Sequence, residues 1–291
     1  MPVGNTLLQT DGKQSGDTTA GSATSSRLIP RTLFSELAAA NRKNLVLRGL
    51  AARVIGPSSI PGSSIDIPLQ TAESMVVHRI TEGANIPLDA ESYTDYNLKP
   101  IKYGVRIMIS TEMMEDSLFD VMGMNAETAG YELADNEETL IVATLDTGSG
   151  QTEGTQIANS NATLPISDIT AAMQGIEEEN FAATDMVIGV EVASDIRNID
   201  TFVEADKSGV TDPSQRLIGR IFGMNVIVSN NVNSKRAYLL DRRFAFVIAE
   251  KRPVTIERYK DMSKDSNFAV ATQRFATRYH RAGAIARIVT T

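Results

Sequence analysis

The 291-residue sequence predicts an α+β protein organised around one long helix, with strands on either side of it and a low-complexity start. Three observations carry that reading. Polar and apolar residues alternate over 63–69, 74–80 and 103–109; an apolar stripe at three- and four-residue steps runs through 111–146; and short alternating runs return in the last third of the chain. A composition that is 42% hydrophobic and 22% charged supplies a core and excludes wholesale disorder.

Residues 1–26 are rich in Gly, Ser, Thr and Gln and hold little to bury, so they are expected to form a flexible arm. From Ser35 to Arg53 the arm turns basic, with Arg42, Lys43, Arg48 and Arg53 among Leu37, Leu45, Leu47 and Leu50. We bound it at 1–55. A long β-hairpin is expected over 56–109, from Ser63-Ser-Ile-Asp-Ile-Pro-Leu, Ser74-Met-Val-Val-His-Arg-Ile and the run Tyr103 to Ile109. Pro57, Pro61, Gly62, Gly83, Pro87 and Pro100 punctuate it. It has too few large apolar residues for a core of its own, which implies a partner surface.

Ser110 or Thr111 can cap a helix reaching about Asp146, with Glu112, Glu115 and Asp116 where the helix dipole favours negative charge. Met114, Leu118, Met122, Ala126, Ala129, Leu133 and Leu140 form its apolar stripe, and Gly123 and Gly130 are places to bend. About 35 residues at 1.5 Å each give a rod of roughly 50 Å. This segment, 110–160, ends in a Gly/Thr/Ser/Asn loop from Gly148 to Asn161. Over 161–250 we expect a helix at 167–180, a buried strand at 186–190 and a helix at 192–205. A turn into a strand at 217–229 and strands at 237–240 and 244–249 complete that region. Strands at 254–259 and an arginine-rich alternating stretch at 268–289 close the chain over 251–291.

Charge is segregated. No lysine or arginine lies between Arg106 and Arg197, where 18 of the 36 acidic residues fall, leaving 28 basic against 18 acidic residues elsewhere. An acidic middle with basic flanks suits segments that meet across interfaces; a solvated acidic helix and loop is the plainer alternative. There is no cysteine, which excludes disulfides and thiolate chemistry. No apolar run approaches the ~20 residues of a membrane span, and Met1 to Thr10 lack the pattern of a signal peptide. A soluble chain made in the cytoplasm, without membrane contact, is expected.

No catalytic constellation emerges. His78 and His280 have no partner group nearby in sequence. Gly148-Ser-Gly-Gln-Thr-Glu-Gly has the wrong spacing for a dinucleotide fingerprint and follows a helix. Glu177-Glu-Glu cannot converge on one helix face, and Met113, Met114, Met122 and Met124 read as core filling. No catalytic residue, cofactor or metal is expected.

Three runs then change the reading: Arg79-Ile-Thr-Glu-Gly-Ala-Asn-Ile-Pro-Leu, Tyr93-Thr-Asp-Tyr-Asn-Leu-Lys-Pro-Ile-Lys-Tyr-Gly and Ile109-Ser-Thr-Glu-Met-Met-Glu-Asp-Ser. With Leu217-Ile-Gly-Arg-Ile-Phe-Gly-Met-Asn-Val-Ile-Val-Ser and the ending from Asn267-Phe to Ala284-Ile-Ala-Arg-Ile, they stand in the order found in major capsid proteins of tailed double-stranded DNA phages. The chain resembles that family, of the Hong Kong 97 phage-type fold, from about Arg27 to Thr291.

The resemblance implies an N-arm, an E-loop hairpin lying on a neighbouring subunit, a peripheral domain with the long spine helix, and an axial domain at the centres of hexamers and pentamers. It implies a major capsid protein that self-assembles into an icosahedral-type shell around packaged double-stranded DNA, in a virion assembled in the host cytoplasm. Glu82, Gly83, Pro87, Lys99, Lys102, Arg274, Arg278 and Arg281 become candidate intersubunit contacts. Arg27, Arg31, Arg42 and Lys43 become candidate DNA-facing cations, binding non-specifically. An acidic spine helix facing the lumen would repel DNA. A portal protein, a separate scaffolding protein and a decoration protein are the other partners implied, a separate scaffold because only about 30 residues precede the N-arm.

Some relatives cross-link an E-loop lysine to an asparagine with the help of a glutamate. Aligned from Asn267, those two positions fall at Ala271 and Arg278, so no cross-link is expected here. The alternatives are an encapsulin-type nanocompartment shell protein on the same fold, a tail or adaptor protein, and an enzyme of unknown type.

Overall fold

In the computed structural model the described residues are 45–60, 62–72, 77–90, 92–117, 120–159, 163–198 and 217–290. All of them fall within one unit, Arg42–Thr291. The elements of its first half are β1 (Arg53–Ile55), β2 (Ile65–Ala72), β3 (Ser92–Leu98), β4 (Ile101–Ser110), α1 (Thr111–Asp116), α2 (Val121–Ser149) and β5 (Thr155–Ala158). There follow α3 (Ile166–Glu178), β6 (Asp185–Ile188), α4 (Val190–Arg197), β7 (Leu217–Ile221), β8 (Met224–Val228), β9 (Arg236–Leu240), β10 (Phe246–Asp261), β11 (Ser266–Tyr279) and β12 (Ile285–Val289).

A six-stranded mixed sheet, ordered β5-β12-β9-β6-β8-β7, is buried on both faces. Its central strands read as apolar runs, and their two-residue alternation distributes those side chains between two cores. Met186, Ile188, Ala237 and Leu239 pack with Ile169, Ala172 and Ile176 of α3 and Val192 and Ile196 of α4. Val187, Tyr238 and Leu240 point the other way, onto Ile141 and Leu145 of α2. The result is a helix–sheet–helix sandwich. The turn from β7 to β8 is Phe222-Gly223, with φ of 49° and 85°, the left-handed pair that a two-residue hairpin requires.

A four-stranded sheet, β1-β10-β11-β4, takes the other half of α2. Ala129 and Leu133 pack against Ala271, with Tyr103, Val105 and Ile107 around them, and Met122 meets Ile109 and Ala269. At 29 residues α2 is about 44 Å long, enough to bridge both sheets. A two-stranded ribbon, β2-β3, stands apart in topology and rests by Tyr96 and Leu98 on Ile55, Ile60, Val247 and Ala249.

Several expectations change. The single helix is two, because Asp120 caps a new start: its carboxylate accepts from the N–H of Gly123 at 2.9 Å, while Ser110 caps α1 through Met113. Gly123 therefore serves a cap, not a bend. Met114 of the expected stripe is exposed, and Glu137 and Glu138 are buried instead. The hairpin proper is β2–β3; within the expected strand 74–80, residues 77–80 carry no regular structure, and Tyr103 to Ile109 belong to β4 of the four-stranded sheet. The turn into a strand expected over 217–229 is a hairpin of two strands, β7 and β8.

Strands expected at 244–249 and 254–259 are the single strand β10, broken in register between Glu250 and Thr255. Pro253 is accommodated because β1 covers only Val247–Ala249, so the proline lies past that neighbour and within the bulged stretch. The closing segment is shared between the sheets: β11 in the four-stranded one and β12 in the six-stranded one.

Candidate functional site

The surface that asks for a partner is the end of the ribbon. Between β2 and β3, residues 77–90 run without regular structure; Val77 is 99% exposed, Leu88 97% and Ile86 76%. A turn from Thr81 to Ala84, closed by an N–H···O bond of 3.0 Å, holds Gly83 at φ 83°, a conformation that suits glycine. Glu82, Gly83 and Pro87 all sit on this exposed tip, as their place in the sequence predicts. His78 lies there too, 3.0 Å from Asp89.

The ribbon's base is fixed by polar contacts on Tyr96. Its hydroxyl pairs with His280 Nδ1 at 2.8 Å, and the guanidinium of Arg278 lies 5.2 Å from its ring centre. Burial, with the Arg281 charge, holds His280 below the ordinary histidine range, and burial raises the Tyr96 phenol. Arg278 also donates to the Asn97 carbonyl at 3.4 Å. Arg278 is thus engaged within its own chain, anchoring the ribbon to β11.

Lys99 is exposed in the link from β3 to β4, beside an open groove of about 500 Å³ lined by Leu140, Thr144 and Phe275 among others. Lys102 lies in β4 and not in the hairpin. It shares a smaller depression with Arg274, whose Nε donates to the Pro100 carbonyl at 3.0 Å. Arg281 lines a third depression with His280 and Glu153. So the structure gathers Lys102 and Arg274, places Arg278 at the ribbon base, and leaves Glu82, Gly83 and Pro87 on the tip. Arg27, Arg31, Arg42 and Lys43 lie outside the described residues.

Two networks escaped the sequence reading. At the entry to the unit, Arg48 donates to both oxygens of Glu137 at 2.7 and 2.8 Å and also to Glu250, and Gln273 donates to Glu137 at 2.7 Å. Beside them Glu138 accepts from the Leu47 N–H at 2.7 Å and from Asn231 at 3.2 Å. Burial pushes the Glu138 carboxyl up to about 7, against the pull of the Leu47 and Val46 N–H groups. At the other end of α2, Asp146 accepts from Tyr238, Arg236 and Arg287 at 2.7, 2.7 and 2.8 Å. Burial alone would raise Asp146, but hydrogen bonds from Tyr238 and Arg287 hold it below the usual carboxylate range. Burial and that carboxylate push the Tyr238 phenol up.

The helix's acidity is therefore largely consumed within the chain. Glu137, Glu138 and Asp146 are partnered; Glu127 and Glu132 are the exposed acids between Val121 and Ser149. Ala271, the position aligned with the relatives' cross-linking asparagine, is a buried contact of Leu133. Among the described residues no cluster of His, Asp and Glu could hold a metal ion, and no helix is long and apolar enough to cross a membrane.

The profile of the phage capsid family matches residues 26–290. The chain belongs to that family. No curated protein matches it by sequence. Among solved structures, the capsid of cyanophage P-SCSP1u is 14% identical, with a TM-score of 0.75 over 91% of this chain and 94% of that one. A capsid of the native GTA particle is 14% identical at TM-score 0.73, covering 94% of this chain and 99% of that one. A Mycobacterium phage Che8 structure is 15% identical at 0.69, covering 89% and 96%. At these identities the likeness establishes the fold, the Hong Kong 97-like capsid fold expected from the sequence. The family match favours a phage capsid subunit over the nanocompartment alternative.

Proposed function

We propose that copies of this phage capsid protein assemble into rings of six and five, which close as an icosahedral-type shell around double-stranded DNA. The observation that carries this reading is the ribbon tip, where Val77 and Leu88 are the most exposed large apolar side chains among the described residues. Such a surface is stabilised by lying on another copy, as the subunits of a shell do. The six-stranded sheet with α3 and α4 then forms the domain at the ring centres. The four-stranded sheet with most of α2 forms the peripheral domain.

Glu82, Gly83 and Pro87 contact the neighbouring subunit through the tip, and the basic arm containing Arg27, Arg31, Arg42 and Lys43 meets the packaged DNA without sequence preference. A portal and a separate scaffolding protein complete assembly, which takes place in the host cytoplasm; a decoration protein would bind from outside. The subunit's role is structural, with no catalysis of its own. Electron microscopy of the purified chain tests this: closed shells or rings of five and six are expected, and a monodisperse monomer at high concentration, with or without a scaffold, would refute it. Denaturing electrophoresis of the shells should show monomer, because the positions aligned with the cross-linking pair hold Ala271 and Arg278; a covalent ladder would contradict that.

A further inference from the structure

The edge strand β4 carries opposite charge at its two ends. Its inner face, Tyr103, Val105 and Ile107, packs toward α2, so alternation puts Lys102 on the opposite face. There the register sets Lys102 beside Arg274 of β11, and Arg274 beside Arg252 of β10. Three cations in a row across three strands repel one another. With Pro100 they line a depression of about 240 Å³, and no salt bridge among the described residues reaches any of them. Three aligned cations with no counter-ion among the described residues break a local rule, and such breaks mark functional surfaces.

At the far end, β4 runs into α1, where Glu112, Glu115 and Asp116 are exposed beside exposed Met113 and Met114. No lysine or arginine interrupts the sequence from there to Arg197. The ten residues of β4 separate the two ends by about 33 Å. An element that is positive at one end and negative at the other pairs head to tail with its own copy, and a head-to-tail contact is the kind that closes rings.

We infer that the pocket of Lys102, Arg252 and Arg274 receives the carboxylates of Glu112, Glu115 and Asp116 from a neighbouring copy, forming a charge clasp between subunits. The clasp rests on the shell-subunit reading above. It uses the strong, charge-assisted bonds that guanidinium groups make to carboxylates, and its strength falls with salt.

Carbodiimide coupling tests it on the full-length chain. The reagent joins an amine to a carboxylate already at ion-pair distance, forming an amide with loss of water. With isotope-labelled and unlabelled chains mixed, peptide mapping of the oligomer bands should show Lys102 linked between chains to Glu112, Glu115 or Asp116. Coupling of Lys102 only elsewhere, or none, overturns the clasp. In a second arm, Lys102→Glu with Arg274→Glu, and separately Glu112→Lys with Glu115→Lys, should each raise the concentration needed for assembly by about tenfold or more, the equivalent of about 1.4 kcal/mol. Mixing the two reversed chains should restore rings of six, in which the two kinds can alternate. Failure of the mixture, or pocket variants that assemble normally while losing DNA, would overturn it. Retained thermal unfolding midpoints confirm that the exposed substitutions leave the fold intact. If the unaltered chain forms no shell, the subunit reading fails, whereas isotope-mixed coupling on soluble oligomers still decides the clasp.

Discussion

The ribbon tip and strand β6 are both rich in apolar side chains, yet they have opposite fates. Met186, Val187 and Ile188 are completely buried between two layers of helix, while Val77, Ile86 and Leu88 face solvent. β6 is satisfied by its own chain; the tip, among the described residues, is left in solvent. The contrast separates residues that make the subunit fold from residues that the proposed function assigns to association, and mutations should separate them too.

The largest effect is expected in the doubly covered core. Phe246→Ala removes a fully buried ring and should cost about 3–5 kcal/mol in denaturant unfolding. Leu88→Ala at the tip should leave that unfolding free energy within about 0.5 kcal/mol while raising the concentration needed for assembly. A tip substitution that destabilises the isolated subunit as much as Phe246→Ala would erase the distinction.

Arg48→Ala sharpens it at the entry to the unit. Glu137 and Glu250 are buried acids facing the same guanidinium, and removing it should cost about 3 kcal/mol of subunit stability. A loss below about 1 kcal/mol would show that Gln273 alone satisfies Glu137.

Glu138 gives a pH signature. Its folded value of about 7 lies above the ordinary 4.5, so folding takes up a proton between those values. The stabilisation is complete below about pH 4.5 and is lost as pH rises through 7, where a charge must be buried. Glu138→Gln should flatten this part of the stability-versus-pH curve and exceed the parent in stability at pH 8. Parallel curves for parent and variant would show that Glu138 does not titrate there. The smallest effect belongs to the exposed Lys260–Asp265 pair near the tip of the β10–β11 hairpin, where Lys260→Ala should change unfolding by a few tenths of a kcal/mol.

Much of the fold was legible because local signals agreed with it. The stripe through Met122, Ala126, Ala129 and Leu133 gave the helix face, and the shortage of apolar residues over 56–110 pointed to a hairpin without a core of its own, which in the structure leans on Ile55, Ile60, Val247 and Ala249. The break before Asp120 was missed because the apolar stripe can be continued through it, and only cap geometry reveals the new start. Strand β10 was divided at Pro253 because sequence does not say that its proline lies beyond a three-residue neighbour. The buried pair Glu137 and Glu138 looked like solvated acidity; their partners, Arg48, Asn231, Glu250 and Gln273, are distant in sequence and meet them only in three dimensions. The turn at Glu82 and Gly83 was expected from the resemblance, and the structure has it exposed. The row Lys102, Arg274 and Arg252 needed strand register to appear.

The position of β12 sets the order in which a subunit becomes complete during synthesis. It lies between β5 and β9 in the six-stranded sheet, pairing Ala286 to Val289 with Thr155 to Ala158 on one side and Ile285 to Val289 with Leu240 to Arg236 on the other. Until it leaves the ribosome, β5 has no strand beside it. At about 5–20 residues per second, that wait lasts on the order of ten seconds after β5 itself is made. A nascent chain that has not yet extruded β12 therefore has a cleft where the folded sheet is continuous.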